Sequence, residues 1–128
     1  MAFLLDTNVA IYLRDGDPAV TTRVAALDGA ILMSVVTRVE LEGGVYREPA
    51  HAQIRRARLD IMLSAIATLT FDDASAQAYG AIVSGAGYSR RKLLDRMIAA
   101  QALVHRATLV TLNSSDLSDI AGLSILAW

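Results

Sequence analysis

Four acidic side chains that lie far apart in the sequence have the chemistry and the placement to hold a divalent metal ion together. They are Asp6, Glu40, Asp95 and Asp116. Three of them come within four residues of the end of an apolar segment with the pattern of a β-strand, and Asp95 opens the most regular helical pattern. Carboxylates gathered at one sheet edge repel one another unless a cation joins them, and hard cations prefer oxygen ligands. The pattern therefore predicts a Mg²⁺ or Mn²⁺ site.

The elements that must position these acids alternate along the chain. We predict strands near residues 2–5, 30–36, 67–71, 108–112 and 123–126. We predict helices near residues 8–14, 18–27, 37–47, 49–65, 73–85 and 91–106, with a short turn at 114–120. This alternation predicts a three-layer α/β/α sandwich around a mostly parallel sheet of about five strands. Ligands of such sheets bind beyond the carboxyl ends of the strands, and Asp95 would have to reach that edge from its helix.

Length and composition exclude several classes of protein. A chain of 128 residues is expected to form a single domain, spanning residues 1–128. The absence of cysteine excludes thiolate zinc sites, disulfides and cysteine nucleophiles, and His51 and His105 have no ligand spacing. No apolar run is long enough to span a membrane, and Asp6 interrupts the N-terminal apolar segment too early for a signal peptide. We therefore expect a soluble, cytoplasmic protein.

The basic residues are unusual in type rather than in number. The net charge of −1 gives no overall signature of nucleic-acid binding. However, 11 of the 12 basic residues are arginine, whose planar fork matches phosphate oxygens. Three basic residues directly precede the Asp95 helix: Arg90, Arg91 and Lys92. They could contact backbone phosphates of RNA, although codon bias and solvated helix faces explain such clusters equally well.

Two of the four acids could serve only to cap helices. The segment from Thr37 to Glu40 has the sequence of a capping box, in which Thr37 caps the helix and Glu40 returns a hydrogen bond to the Thr37 N–H. Asp6 could cap the helix that follows it, but Thr7 and Asn8 are competent caps and would make Asp6 redundant. Neither acid is decisive by itself.

The other two acids also have structural interpretations. Asp95 could complement the dipole at a helix N-terminus. Asp116 lies in the segment 113–116, where any of four polar residues could cap a turn, and Asp119 is an alternative acid in the same stretch. A functional interpretation requires that the four acids meet in the folded chain.

At these residues the chain resembles a PIN domain, and most of all the VapC-type toxin of bacterial toxin–antitoxin pairs, along essentially its whole length. The segments that carry the resemblance are Leu5-Asp6-Thr7-Asn8, Thr37-Arg38-Val39-Glu40-Leu41 with Gly44, Asp95-Arg96-Met97-Ile98-Ala99-Ala100, and Val110-Thr111-Leu112-Asn113 with Asp116. Each motif is weak alone, but four in the right order and at the right spacings are a strong signal.

The resemblance implies a Mg²⁺- or Mn²⁺-dependent endoribonuclease that cuts cellular RNA, often tRNA or ribosomal RNA. It also implies a homodimer and a VapB-type antitoxin that occupies the active-site groove. The four acids would be the catalytic quartet, with the metal on Asp6, Asp95 and Asp116 and with Thr7 and Asn113 as supporting polar residues. Leu117 departs from the family pattern, which usually has an aromatic residue after the fourth acid, so Asp119 remains the alternative to Asp116.

Two other functions are compatible with the same scaffold. The first is a PIN-like module without catalytic activity that binds RNA or a protein partner. A complete acidic quartet argues against it, because a pure scaffold has no use for mutually repelling acids. The second is a structure-specific DNA nuclease, which the small size and the lack of a helical insertion make less suitable.

Overall fold

A sheet of five parallel strands forms the centre of the molecule in the computed structural model, which describes all residues 1–128. The strands are β1 (Ala2–Leu5), β2 (Ala30–Ser34), β3 (Ala67–Leu69), β4 (Thr108–Thr111) and β5 (Ile125–Ala127). The helices are α1 (Thr7–Arg14), α2 (Pro18–Ala25), α3 (Val35–Arg47), α4 (Ala52–Ala65), α5 (Asp73–Ala86) and α6 (Leu93–Val104). Two short 3-10 turns cover Pro49–His51 and Ser114–Leu117.

Alternate residues of the central strands face two separate cores. Leu4 and Leu109 are paired in register and pack against α5 and α6. Their neighbours Leu5 and Val110 are also paired, and they pack on the opposite face with residues of α1 and α2. Because helices cover both faces, the strands are apolar at nearly every position, as is usual in parallel sheets. The predicted three-layer α/β/α sandwich is therefore confirmed.

The start of α3 differs from the prediction. The sequence pattern extends strand β2 through Val35-Val36, but β2 ends at Ser34 and α3 begins at Val35. The reason is local: the Ser34 hydroxyl accepts a hydrogen bond of 3.0 Å from the Val36 amide, which caps the helix. Two β-branched residues in an apolar run favour a strand, but the cap and the packing of Val36 in the α5–α6 core override that preference.

Other boundaries move by one to three residues. Strand β3 ends at Leu69 rather than at residue 71, and β5 covers 125–127 rather than 123–126. Helix α6 is shorter at both ends than the predicted 91–106, and the first turn of the predicted helix 49–65 is a 3-10 turn. None of the six helices has the length and apolar character that a membrane-spanning segment requires.

The strand order β3-β2-β1-β4-β5 creates a switch point between β1 and β4. From β1 the chain adds β2 and β3 on one side, and it then returns to add β4 and β5 on the other. Ligands of open parallel sheets bind at such a point, outside the carboxyl ends of the strands. The Asp6 amide donates to the Val110 carbonyl at 2.9 Å, which fixes the start of α1 beside the end of β4.

A buried glutamine fixes α6 against the same edge of the sheet. The side-chain oxygen of Gln101 accepts a hydrogen bond from the Ser34 hydroxyl at the end of β2. Its amide nitrogen donates to the carbonyls of Leu69, the last residue of β3, and Thr70, the residue after it, at 3.2 and 3.0 Å. Since Asp95 lies on α6, these bonds set the position of that acid relative to the carboxyl ends of the strands.

Replacing Gln101 with leucine should lower the free energy of unfolding by about 2–4 kcal/mol, because it leaves buried polar partners without hydrogen bonds. Urea denaturation measures the change as a lower midpoint with an unchanged slope. Gln77→Leu, at an exposed position of α5, is the matched control and should change stability little. Equal stability of the two variants would show that Gln101 does not secure α6.

Candidate metal centre and active site

Hydrogen bonds to both carboxylate oxygens hold Asp6 at the switch point of the sheet. It is 7% exposed, and one carboxylate oxygen, Oδ1, accepts from the Thr7 amide at 2.9 Å. The other oxygen, Oδ2, accepts from the buried Thr111 hydroxyl at 2.8 Å, and that hydroxyl accepts in turn from the Asn113 amide at 3.0 Å. Asp6 is the N-cap of α1, so the expectation that Thr7 or Asn8 would make it redundant as a cap is wrong.

Glu40 is oriented by a pair of threonine hydroxyls and not by a capping box. Because α3 begins at Val35, Thr37 lies inside the helix and is buried. The Thr7 hydroxyl donates to Glu40 Oε1 at 2.8 Å and lies 3.0 Å from the Thr37 hydroxyl. A carboxylate can only accept, so the Thr7 proton goes to Glu40 and Thr37 donates to Thr7. The capping-box interpretation is therefore wrong, and Glu40 is directed across to α1.

Asp95 shows that the four acids share one electrostatic environment. It lies in the first turn of α6 and is half-buried, and its carboxylate makes no hydrogen bond. Burial raises the pKa of Asp95 above its usual range, and the negative charges of Asp6, Asp116 and Glu40 raise that pKa further. Arg91 opposes the shift. The fold thus brings all four acids into electrostatic contact at one edge of the sheet.

Asp116 reaches this edge from the 3-10 turn after β4. Its Oδ2 accepts a hydrogen bond of 2.6 Å from the side-chain amide of Asn113. The same oxygen lies 3.7 Å from a terminal nitrogen of Arg91, a side chain that is 70% exposed. Arg90 is also exposed, in the loop between α5 and α6. Asn113 therefore holds Asp116 in place, while Arg91 has most of its guanidinium open to solvent.

Asp119 occupies a different environment. Its Oδ2 pairs with the Lys92 ammonium at 3.3 Å and with the buried Arg96 guanidinium at 3.2 Å. Although burial opposes the effect, hydrogen bonds from Lys92 and Arg96 hold the pKa of Asp119 below its usual range. Arg96 also donates to the Gly87 carbonyl, so these contacts fix the loop before α6. Asp119 and Lys92 are both committed to this ion pair.

The donor set at the edge suits a hard cation, although no three acidic side chains converge closely enough to hold one ion between them. Hydrogen bonds hold Asp6, Glu40 and Asp116 to their neighbours, and Asp95 alone is unconstrained. Carboxylates, hydroxyls and an amide surround the site, without histidine or cysteine. Mg²⁺ commonly takes only one or two protein carboxylates and completes its shell with waters and substrate phosphates, so these residues fit such an ion.

Sequence reasoning missed two residues of this arrangement. Thr111 anchors Asp6, and Thr37 supports Thr7, whereas the sequence pattern indicates only a cap at Thr37 and a strand residue at Thr111. A signal for Thr111 was available, because it is a polar residue at the end of an apolar strand beside the switch point.

The chain is a parallel α/β protein whose acidic residues gather at the switch point of the sheet, where proteins of this class bind their ligands. The sequence model of the PIN domain matches residues 3–123, and the chain therefore belongs to the PIN-domain family.

Individual relatives resemble the chain over its full length. It is 27% identical to Ribonuclease VapC2 of Rickettsia felis, across 100% of this chain and 98% of that protein. It resembles the crystal structure of VapBC2 from Rickettsia felis bound to a DNA fragment from their promoter, with a TM-score of 0.86, 25% identity and coverage of 100% and 99%. It also resembles VapBC-1 from nontypeable Haemophilus influenzae, with a TM-score of 0.79, 27% identity and coverage of 100% and 98%.

Proposed function

We propose that this protein is the toxin of a toxin–antitoxin pair: an endoribonuclease, dependent on Mg²⁺ or Mn²⁺, that cuts tRNA or ribosomal RNA in the cytoplasm. A VapB-type antitoxin neutralises it. The observation that carries the proposal is the match to the PIN domain over residues 3–123, which includes all four acids of the candidate centre. The full-length similarity to Ribonuclease VapC2 supports RNA as the substrate.

Each acid has a distinct role in the proposed reaction. Asp6, Asp95 and Asp116 would share the cation, one or two of them as direct ligands and the rest through bound water. When bound, the cation supplies positive charge that activates water and neutralises the phosphate. Glu40, oriented by Thr7, takes the proton of the attacking water as general base. Asn113 keeps the Asp116 carboxylate turned toward the edge of the sheet.

The proposed partners require exposed apolar surface, and the chain has it in two regions. Tyr46, Ile54 and Ile61 are exposed on α3 and α4, and Tyr88 and Leu94 are exposed around the start of α6. Exposed apolar patches on small domains often mark interfaces. We propose that these surfaces serve the antitoxin and a second copy of the chain. The relatives of known structure named VapBC support an antitoxin partner.

Cleavage of total cellular RNA by the purified protein tests the proposal. Cutting in Mg²⁺ or Mn²⁺ that EDTA abolishes is the expected result. Single-stranded and duplex DNA of similar length serve as the comparison, because a DNA nuclease would prefer them. A folded protein that cuts no RNA and arrests no growth on expression would contradict the proposal and favour the inactive scaffold.

Replacing Thr7 with valine should slow RNA cleavage by about 10- to 100-fold, because loss of an orienting hydrogen bond to an active-site group has effects of that order. Valine keeps the shape of the side chain but cannot donate to Glu40 or accept from Thr37. Thr7→Ser retains the hydroxyl and is the control. Initial rates on bulk tRNA measure the effect, and a wild-type rate for Thr7→Val would show that Glu40 does not depend on Thr7.

Joint replacement of Arg90 and Arg91 by alanine should weaken tRNA binding and make it less dependent on salt. The slope of log K against log salt is negative, and removing one arginine–phosphate pair makes it less steep by about 0.7 to 0.9. Lys92 is left intact because its ammonium is paired with Asp119. Filter binding across a range of KCl concentrations gives the slope. Unchanged binding would show that neither arginine contacts RNA and that both are only solvent-exposed surface residues.

A further inference from the structure

A polar groove of about 320 Å³ lies beside Glu40, between α1, α3 and α4. Ile11 is its one apolar lining residue, so an apolar ligand has little to bind. The charged side chains that line it are Arg14, Arg47, Arg55, Asp15, Glu40 and Glu48. Since Glu40 belongs to both the groove and the acidic edge, the groove continues directly from the candidate active site.

Arg14 is a buried arginine with most of its donors unused. Its side chain is only 4% exposed, and its Nε donates to Asp15 Oδ1 at 3.0 Å. The other four N–H groups of the guanidinium make no hydrogen bond within the protein. Arginine is rarely buried unless its charge and donors are satisfied. Nε of Arg96 is the one side-chain nitrogen that is fully buried without a hydrogen-bond partner. The unpaired terminal nitrogens of Arg14 are therefore accessible to solvent.

A glycine in α3 leaves the space that this guanidinium occupies. A Cβ at Gly44 would lie 3.3 Å from Nη1 of Arg14, whereas a Cβ at Gly43 would meet nothing within 4 Å. Glycine inside a helix weakens that helix. At position 44 it allows the helix backbone to approach the Arg14 fork closely.

The other charged side chains of the groove differ in how many partners they have within the protein. Arg55 donates to the Gly44 carbonyl at 3.1 Å and pairs with Glu48 at 3.3 Å, and Asp15 is taken by Arg14. Arg47, at the end of α3, makes no ion pair. Two of the three acids are thus paired, and Glu40 is turned to Thr7. Arg55 is anchored by two contacts, whereas Arg14 uses one of its five donors and Arg47 pairs with no acid.

We infer that this groove is a second phosphate subsite for the RNA strand, in which Arg14 binds a phosphate next to the one that is cut. The inference rests on the proposed function. A planar guanidinium with two terminal nitrogens free matches two phosphate oxygens at once. A strand whose scissile phosphate lies between Asp6 and Asp95 passes Glu40 and enters the groove, and Arg47 meets it at the rim.

Binding of fluorescein-labelled bulk tRNA in EDTA, measured by anisotropy across KCl concentrations, tests the subsite without cleavage. Arg14→Gln should weaken binding by about tenfold and make the negative salt slope less steep by about 0.7 to 0.9, as expected for the loss of one phosphate contact. Arg106→Gln is the matched control, because Arg106 is exposed at the amino end of β4, on the opposite edge of the sheet. It should leave both values unchanged.

A second variant keeps the buried arginine in place. Gly44→Ala crowds the Arg14 fork and should weaken tRNA binding in the same direction by about three- to tenfold. Gly43→Ala, one position away and in open space, should bind as the wild type does. Circular dichroism and thermal melting establish that each variant is folded, so the comparison remains informative if Arg14→Gln does not fold.

The outcomes separate the subsite from the proposed function. Wild-type affinity and salt slope for folded Arg14→Gln or Gly44→Ala, in a protein that still cuts RNA, overturn the subsite alone. Absence of both RNA binding and metal-dependent cutting in the wild type overturns the subsite together with the proposed function. Loss of neutralisation by the co-expressed antitoxin, with tRNA binding unchanged, assigns the groove to a protein partner and overturns the inference.

Discussion

Asp6→Asn is expected to lower the rate of RNA cleavage by about 10³-fold or more. The change removes one negative charge from the proposed cation site, where stabilisation of the transition state is worth several kcal/mol and each 1.36 kcal/mol is about a factor of ten. Asparagine is a good N-cap and keeps one side-chain oxygen, so it can still cap α1. The loss of activity should therefore come without loss of the fold.

The control for this experiment is Asp28→Asn. Asp28 is exposed before β2, at the amino end of the strands, and its replacement should leave cleavage unchanged. Initial rates on bulk tRNA at saturating Mn²⁺ give the comparison, and thermal melting establishes folding. A folded Asp6→Asn variant that cuts within about tenfold of the wild-type rate would remove Asp6 from the site.

The fold could be predicted from the sequence because its signals are redundant. Five short apolar runs alternate with helical segments, and a parallel sheet needs such crossovers. The edge on which Asp6 would lie followed from the strand assignment alone. Errors at the ends of elements, such as two residues at the start of α3, did not change which edge Glu40 occupies.

The side-chain contacts of the site could not be predicted in the same way, because they depend on partners that are distant in the sequence. Thr7 and Thr37 meet because α1 and α3 pack at one edge, and no local pattern encodes their contact. The sequence also could not decide between Asp116 and Asp119 as the fourth acid, because the decision depends on distant partners. Asp119 is engaged by Arg96, 23 residues earlier, and only the folded chain shows this pairing.

The structure also explains why one acid of the four differs from the others. Asp6, Glu40 and Asp116 each accept a hydrogen bond that holds the carboxylate in place. The Asp95 carboxylate has no such bond, and the negative charges of the other three acids disfavour its ionised form. Burial and the charges of the other three carboxylates therefore act on Asp95 without a hydrogen bond that would favour its ionised form.

Asp95→Asn is accordingly expected to make the protein more stable while it inactivates the enzyme. Asparagine removes the charge that burial and the neighbouring acids disfavour. Solvent screens a half-buried group, so we expect a gain of about 1 kcal/mol in the free energy of unfolding, or about 4 °C in Tm. RNA cleavage should fall by about 10³-fold, for the same reason as in Asp6→Asn.

The dependence on pH and metal distinguishes this electrostatic cause from a packing effect. Because the folded pKa of Asp95 is raised, the folded chain binds the proton more tightly than the unfolded chain, and wild-type stability falls as pH rises through that pKa. The advantage of the variant should therefore be full at neutral pH and vanish as pH falls toward the ordinary carboxyl range, about 4.

Metal should act in the opposite sense to the mutation. A cation at the site relieves the repulsion, so Mg²⁺ or Mn²⁺ should raise the Tm of the wild type and leave that of Asp95→Asn nearly unchanged. Asp73→Asn, at an exposed first-turn position of α5, controls for the loss of an acid near a helix N-terminus and should lower Tm slightly. If Asp95→Asn melts below the wild type at neutral pH without metal, the Asp95 charge stabilises the fold. The four acids would then not be a mutually repelling cluster that a cation stabilises.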